Sequence, residues 1–279
     1  MARFVNKVVI VTGSSSGIGQ ETAVHFAEEG ATVVLVGRNS NGLKQTFDLI
    51  KKKNIPTDRI LSIQGSIDEP GFIEDLINET IQKFGRLDIL VNNAGVTQDP
   101  NEDANSIENL DYVFKVNVRS VVNLTQLAIP HLIKTNGCVV NVSSVSSTMV
   151  HKDLLFYSMT KAAVDQFTKG CAAKHAEQGL RFNSVNPGYT RTPIFTRNDP
   201  NANADEVLNK MDEIHMSQVV PMKRMGKVRE ISEAILFLAS PAASYCNGTC
   251  MVIDGGYSCN TLPSGLFDEY NQKESFPSN

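Results

Sequence analysis

Tyr157 and Lys161 stand four residues apart in Y-S-M-T-K, and Ser144 of the pair Ser143-Ser144 precedes the tyrosine by thirteen residues. Positions i and i+4 of a helix share a face, so the Lys161 ammonium can lie beside the Tyr157 hydroxyl. At roughly 6 Å and an effective dielectric of about 20, its attraction to a phenolate is about 2.8 kcal/mol, or about two pKa units. A phenol that titrates near 10 would then exchange protons near neutral pH. The plain alternatives are an exposed helical pair for Tyr157 and Lys161, strand-end hydroxyls for the two serines, and a satisfied buried amide for Asn117.

A second constellation opens the chain: T-G-S-S-S-G-I-G over residues 12–19, after a β-branched run and before a helical pattern. In that context Gly13 permits a tight turn, Gly17 lets the backbone approach a pyrophosphate, and Gly19 lets the helix pack against the strand. At the end of the next apolar run, where NAD sites usually carry a carboxylate for the ribose 2′-hydroxyl, the chain has Gly37-Arg38-Asn39-Ser40. Arg38 can bind a 2′-phosphate through its planar fork, and NADP is therefore the expected cofactor.

The elements that must position these residues alternate regularly. Strands are expected at K-V-V-I-V-T, A-T-V-V-L-V-G, R-I-L-S-I-Q-G, L-D-I-L-V-N, G-C-V-V-N-V, L-R-F-N-S-V-N and 249–253. Helices are expected over 17–29, 40–53 with Ser40 as N-cap, from Pro70 to near 84, from a Ser106 cap through Leu127, over 156–176 and over 230–239. The Ser106 helix is apolar around most of its circumference, so one side should cover the sheet and another can meet a second subunit. The pattern predicts an α/β fold, a doubly wound parallel seven-stranded sheet, Rossmann-like, in one domain over residues 1–257. Residues 258–279 lack sustained periodicity and are expected to form a C-terminal tail.

The 279 residues are 41% hydrophobic, enough for a sizeable core, and the net charge of −4 comes with no basic stripe, so nucleic acid is not an expected partner. Lys51, Lys52 and Lys53 are the one basic run and complement a helix C-terminus. Five cysteines without a C-x-x-C pair suit reduced thiols in a cytoplasmic protein. No signal-peptide core and no apolar run long enough for a membrane span is evident.

T-G-x-x-x-G-I-G, N-N-A-G at 92–95, Asn117, Ser143-Ser144, Y-x-x-x-K and N-P-G at 186–188 occur in the order and spacing of the short-chain dehydrogenases/reductases, which the chain resembles from about Lys7 to Tyr257. The resemblance implies that Tyr157 is the acid/base, that Lys161 lowers its pKa and bonds the nicotinamide ribose, that Ser144 polarises the substrate carbonyl, and that Asn117 holds a water linking Lys161 to solvent. It implies a cofactor site made by Gly13, Ser14, Ser16, Gly17, Ile18 and Gly19 at the first turn and by Arg38 and Asn39 after the second strand. Asn93, Ala94 and Gly95 would wall the cofactor, Pro187, Gly188, Thr190 and Thr192 would flank the nicotinamide beside Tyr157 and Lys161, and no metal is required. Ser66 stands where the family often has an aspartate near the adenine, and Thr160 and Thr190 replace a usual serine and a usual Val or Ile. The family also implies a homotetramer.

Between Tyr189 and Met222 a polar turn at 198–205 is followed by V-L-N-K-M-D-E-I-H-M, expected as an Asp205-capped lid helix carrying Val207, Leu208, Met211 and Ile214. Those four residues are expected first to pack the lid down, and Met149, Leu154 and Phe195 nearby suggest a mostly apolar pocket for a small carbonyl or alcohol substrate. An NAD-linked alcohol or sugar dehydrogenase differs by cofactor preference alone. A catalytically silent dinucleotide sensor would need binding without a proton relay.

Overall fold

The alternation of β-branched runs with amphipathic segments produces one sheet covered on both faces. The structure, a computed structural model, describes residues 2–149, 151–196 and 203–259. Its strands are β1 (Val8–Thr12), β2 (Thr32–Gly37), β3 (Ile60–Gln64), β4 (Ile89–Asn92), β5 (Cys138–Val142), β6 (Arg181–Pro187) and β7 (Cys250–Ile253). They form a seven-stranded sheet in the order β3-β2-β1-β4-β5-β6-β7, parallel at every neighbouring pair. The helices are α1 (Gly17–Glu28), α2 (Ser40–Lys52), α3 (Phe72–Phe84), α4 (Ile107–Phe114), α5 (Ser120–Ile133), α6 (Leu155–His175), α7 (Ala204–Lys210), α8 (Ser217–Val219) and α9 (Val228–Ala239). This is the expected doubly wound Rossmann-like sheet.

The strand period of two sorts β1 onto two cores. Val9 and Val11 pack with Phe26 of α1 and Ile235 of α9, while Val8 and Ile10 pack with Leu76 of α3 and Leu124 and Leu132 of α5. Strand order reverses between β1 and β4, and a crevice opens there above the carboxyl ends of the strands.

Local chemistry moves several expected boundaries. Asn39, not Ser40, caps α2, its Oδ1 accepting from Gly42 N at 3.0 Å. Pro70 lies outside α3, because Gly71 at φ 80° supplies the cap position and the helix begins at Phe72. Ser106 does cap its helix, accepting from Asn109 N at 3.1 Å, but the expected continuous helix is split by a π-helical turn, Lys115–Arg119, between α4 and α5. In the segment expected as a lid, Asn203 rather than Asp205 caps the helix, accepting from Glu206 N at 3.3 Å. A second π turn, Met211–Met216, shifts the helical register, so that Met216 is buried beside Leu208 while Ile214 is 46% exposed. Residues 198–202 of the polar turn and 260–279 of the tail lie outside the described residues.

Asp88, at the entry of β4, is 1% exposed and accepts from Arg86 Nη2 at 2.6 Å, Arg86 Nε at 2.8 Å, Lys7 Nζ at 3.0 Å and Val8 N at 3.0 Å. Burial pushes its carboxyl up, but the bonds from Arg86, Val8 and Lys7 outweigh burial and hold it below the usual carboxylate range. The stability it contributes is therefore present above the ordinary aspartate pKa of about 4 and is lost as pH falls through the lower folded value. Asp88→Asn is expected to cost about 2 kcal/mol in urea unfolding at pH 7. That difference should shrink as the pH drops below about 4; a pH-independent difference would contradict the assignment.

Candidate active site

The crevice is a cleft of about 940 Å³ whose wall is made by the turns that leave β1 to β6. A parallel sheet ends all its strands at one edge, so residues far apart in sequence meet there.

Tyr157 and Lys161 project from one face of α6. The Lys161 Nζ lies 5.4 Å from the Tyr157 ring centroid and donates to the carbonyl of Val142, the last residue of β5, at 2.9 Å. Burial pulls the lysine down to about 8, and the Asp165 carboxylate works in the opposite direction. Tyr157 is half-buried as a residue, but its hydroxyl end is enclosed. Burial pushes the phenol above its ordinary value, and a hydrogen bond with the Ser144 hydroxyl partly offsets that rise. The expectation of a phenol lowered by Lys161 is thus corrected: desolvation of both groups dominates here, raising the acid and lowering the amine. A phenol held in its protonated form is suited to giving a proton away.

Ser144 and Ser143 divide their work. Ser143 Oγ, buried, donates to the Lys161 carbonyl at 3.1 Å and ties β5 to α6. Ser144 Oγ meets the phenol and accepts from Ser146 N at 3.1 Å. Asn117 sits on the first π turn, behind the cleft wall rather than in it. Its Oδ1 accepts from Val96 N at 2.9 Å, and its Nδ2 donates to Val96 O at 2.8 Å and to Thr160 Oγ1 at 3.1 Å. Thr160 Oγ1 in turn donates to the Tyr157 carbonyl at 2.6 Å. The Asn117 amide therefore joins the loop after β4 to the helical turn between Tyr157 and Lys161.

The first turn is conformationally specific: Gly13 has φ 67° and Gly17 φ 57°, and a Cβ on Gly13 would fall 2.8 Å from Asn93 Nδ2. Gly13, Ser16, Gly17 and Ile18 line the cleft, as do Arg38 and Asn39 after β2 and Ser66 after β3. So do Asn93, Ala94 and Gly95 after β4, and Pro187, Gly188, Thr190 and Thr192 from β6 onward. Ser14 and Gly19 do not. Ser14 Oγ accepts from Val36 N at 2.8 Å and fastens the turn to β2, and Gly19 packs against the Gly13 backbone. Asn93 Nδ2 donates to Thr12 O at 2.8 Å, which locks the ends of β1 and β4 together.

Sequence reasoning missed Ser15, Thr97, Val116, His151 and Asp153, which also line the cleft. Ser15 lies inside the glycine turn itself, whereas Thr97, His151 and Asp153 come in by loop paths and Val116 by the first π turn, where no spacing rule reaches. It also missed Asp68: the Ser66 hydroxyl donates to its carboxylate, which pairs with Lys115 Nζ at 3.3 Å. Ser66, at the position of the family's frequent aspartate, therefore donates to a carboxylate two residues on. Asp165 is a further omission, buried one turn beyond Lys161 and accepting from Ser184 Oγ at 2.9 Å and Asn186 Nδ2 at 2.7 Å. Asn186 Nδ2 also donates to the Ser144 carbonyl at 3.1 Å, so the carboxylate, the serine loop and the lysine form one network.

A family model described as enoyl-(acyl carrier protein) reductase matches residues 13–258. A 3-oxoacyl-[acyl-carrier-protein] reductase of Thermotoga maritima is 35% identical over 255 residues, covering 91% of this chain and 98% of that protein. A meso-2,3-butanediol dehydrogenase of Serratia marcescens is 34% identical over 254 residues, covering 91% and 95%. Among solved structures, a cofactor-bound short-chain dehydrogenase/reductase of unknown function from Caenorhabditis elegans superposes with a TM-score of 0.87 at 35% identity, covering 93% of this chain and 97% of that one.

Because Asp165 supports the charge on Lys161 against burial, Asp165→Asn is expected to move the Lys161 titration below about 8. Nuclear magnetic resonance of the lysine ζ nitrogens reads this directly. An unchanged or higher value would remove Asp165 from the charge balance of the site.

Proposed function

The chain belongs to the short-chain dehydrogenase/reductase family, and from that premise we propose that it is an NADP-dependent oxidoreductase acting on a carbonyl or alcohol substrate with Tyr157 as acid/base. The observation that carries this reading is the meeting of Ser144, Tyr157 and Lys161 in one cleft with the glycine turn and Arg38.

The residues present fit a dinucleotide. The turn at Gly13 and Gly17 offers backbone without a Cβ in the way, at the N-terminus of α1. Arg38 is exposed at the rim, its Nη1 3.3 Å from Tyr112 Oη, and its cleft-lining neighbours Asn39, Asn41 and Gln45 carry no negative charge. A 2′-phosphate would find a guanidinium and no competing carboxylate there, which supports NADP over NAD. The bound nicotinamide would supply or accept the hydride. In the direction of reduction, Tyr157 gives its proton to the oxygen that gains negative charge, and Ser144 holds that oxygen by a hydrogen bond. Lys161 then bears a charge near the phenol as it ionises, at a distance where screening by water is weak. Asn117 fixes the loop and the helical turn that hold these groups in register.

Leu155 and Met159, one turn apart on α6, are exposed apolar side chains, which supports association into a homotetramer. Among the described residues no helix is long and apolar enough to cross a membrane, and the five cysteines are free thiols, which fits a cytoplasmic setting.

The reading is tested by following NADPH consumption across a panel of ketones and aldehydes, with NADH in parallel. Turnover with kcat/KM at least about tenfold higher for NADPH is expected, and Arg38→Asp should invert that preference. A wild-type ratio near one would overturn the NADP preference, and a ratio below one would return the NAD-linked reading; a ratio unmoved in the variant would remove Arg38 from cofactor selection, and no consumption of either cofactor would contradict the enzyme.

A further inference from the structure

At the end of the cleft built by the β5–α6 connection and the segment after β6, three polar side chains meet without any part in the proton transfer described above. His151 Nε2 lies 3.5 Å from Tyr189 Oη and 3.4 Å from Tyr257 Oη, and the two phenols hydrogen-bond each other. The rings are packed as well: Tyr189 and Tyr257 meet edge to face at 5.0 Å between centroids, and Tyr189 stacks on Phe195 at 6.2 Å. His151, Tyr189 and Tyr157 line the same cleft, and Tyr257 stands behind them in the apolar cluster of Leu208, Met216 and Met225.

Counting protons shows that this triangle does not close on itself. With the imidazole proton on Nδ1, Nε2 accepts from one phenol, that phenol accepts from the other, and the Nδ1–H is left over. With the proton on Nε2, the imidazole donates to one phenol, that phenol donates to the second, and the second phenolic proton is left over. Among the described residues Nδ1 has no hydrogen-bond partner. Either tautomer leaves a donor at this half-buried end of the cleft, where an acceptor on a bound molecule can take the place of water.

The surroundings define that acceptor. Asp153 lines this end of the cleft and would repel an anion, while the Lys161 amine is already directed to the Val142 carbonyl. Leu154, Ile194, Phe195 and Met211 complete the wall and suit carbon rather than further polar groups. We propose that His151 and Tyr189, backed by Tyr257, form a donor subsite for a second, uncharged oxygen of the substrate. The preferred substrates are then carbonyl compounds with another carbonyl or hydroxyl oxygen on a short apolar chain, rather than monofunctional ketones or carboxylates. This rests on the reductase reading of the same cleft.

The test compares kcat/KM for hexane-2,3-dione and hexane-2,5-dione with that for hexan-2-one, using NADPH, in the wild-type protein and in Tyr189→Phe and His151→Leu. A dione is intrinsically more reactive than a ketone, so the decisive quantity is the change in the dione-to-ketone ratio between wild type and variants. At least one dione should be preferred in the wild type, and each variant should lower its ratio about five- to tenfold, the loss of one hydrogen bond. Tyr189→Phe keeps the ring that stacks on Phe195, and melting temperatures check that both variants are folded. Ratios that stay the same in both folded variants, or a wild-type ratio near one for both diones, would overturn the subsite while leaving the reductase intact. If none of the three compounds is reduced by folded wild-type protein, the carbonyl reductase reading fails and the subsite with it.

Discussion

Lys161 places an amine where a protein can hardly hold a charge. Burial drags it down to about 8, and what keeps it serviceable is a short list of partners: the Val142 carbonyl at 2.9 Å and the Asp165 carboxylate one turn further along α6. Each partner comes from a different layer of the fold. Val142 ends β5, Asp165 is pinned by Ser184 and Asn186 of β6, and Asn186 reaches back to the Ser144 carbonyl. The amine cannot be moved without disturbing the edge of the sheet, and the serine loop cannot be moved without disturbing the amine. The same polar frame continues into the interior, where Asn92 Nδ2 donates to Asn141 Oδ1 at 2.9 Å and Asn141 Nδ2 to Thr168 Oγ1 at 2.8 Å. Buried networks of this kind fix the relative position of strands and helix because a partly satisfied member is expensive.

The opposite end of the cleft depends on backbone rather than charge. Gly13 and Gly17 hold conformations that other residues rarely adopt, and Asn93 bonds the turn to the end of β4. Parallel pairing in register from β3 to β7 brings this rigid turn and the buried amine to one edge. The result is a cleft with a polar backbone wall at one end, an acid and an amine in the middle, and aromatic and apolar groups around a polar triangle at the other.

Much of this was legible in the sequence, and the reasons are specific. The β-branched runs and glycine breaks gave the strands because period and punctuation are local properties. Tyr157 and Lys161 were legible because four residues on a helix fix a shared face. The sign of the electrostatics at Tyr157 was not, since it depends on how far both groups are desolvated, and burial is a property of the assembled layers. Asp165 carries no local signal, because its partners Ser184 and Asn186 come from β6. The π turn under Asn117 and the one at Met211–Met216 left no signature in composition, and they changed which residues face inward. His151, Tyr189 and Tyr257 are separated by long stretches of chain and meet only through loop paths.

The central claim is that the enclosed phenol of Tyr157 moves the proton in a cleft that binds dinucleotide independently of it. Tyr157→Phe removes the hydroxyl and keeps the ring beneath Lys161, so its effect on turnover and on NADPH affinity, measured on the same protein, separates the two roles. The account predicts a fall in kcat of about 10²- to 10⁴-fold with the NADPH dissociation constant changed by no more than about threefold. A variant that turns over at the wild-type rate would contradict it.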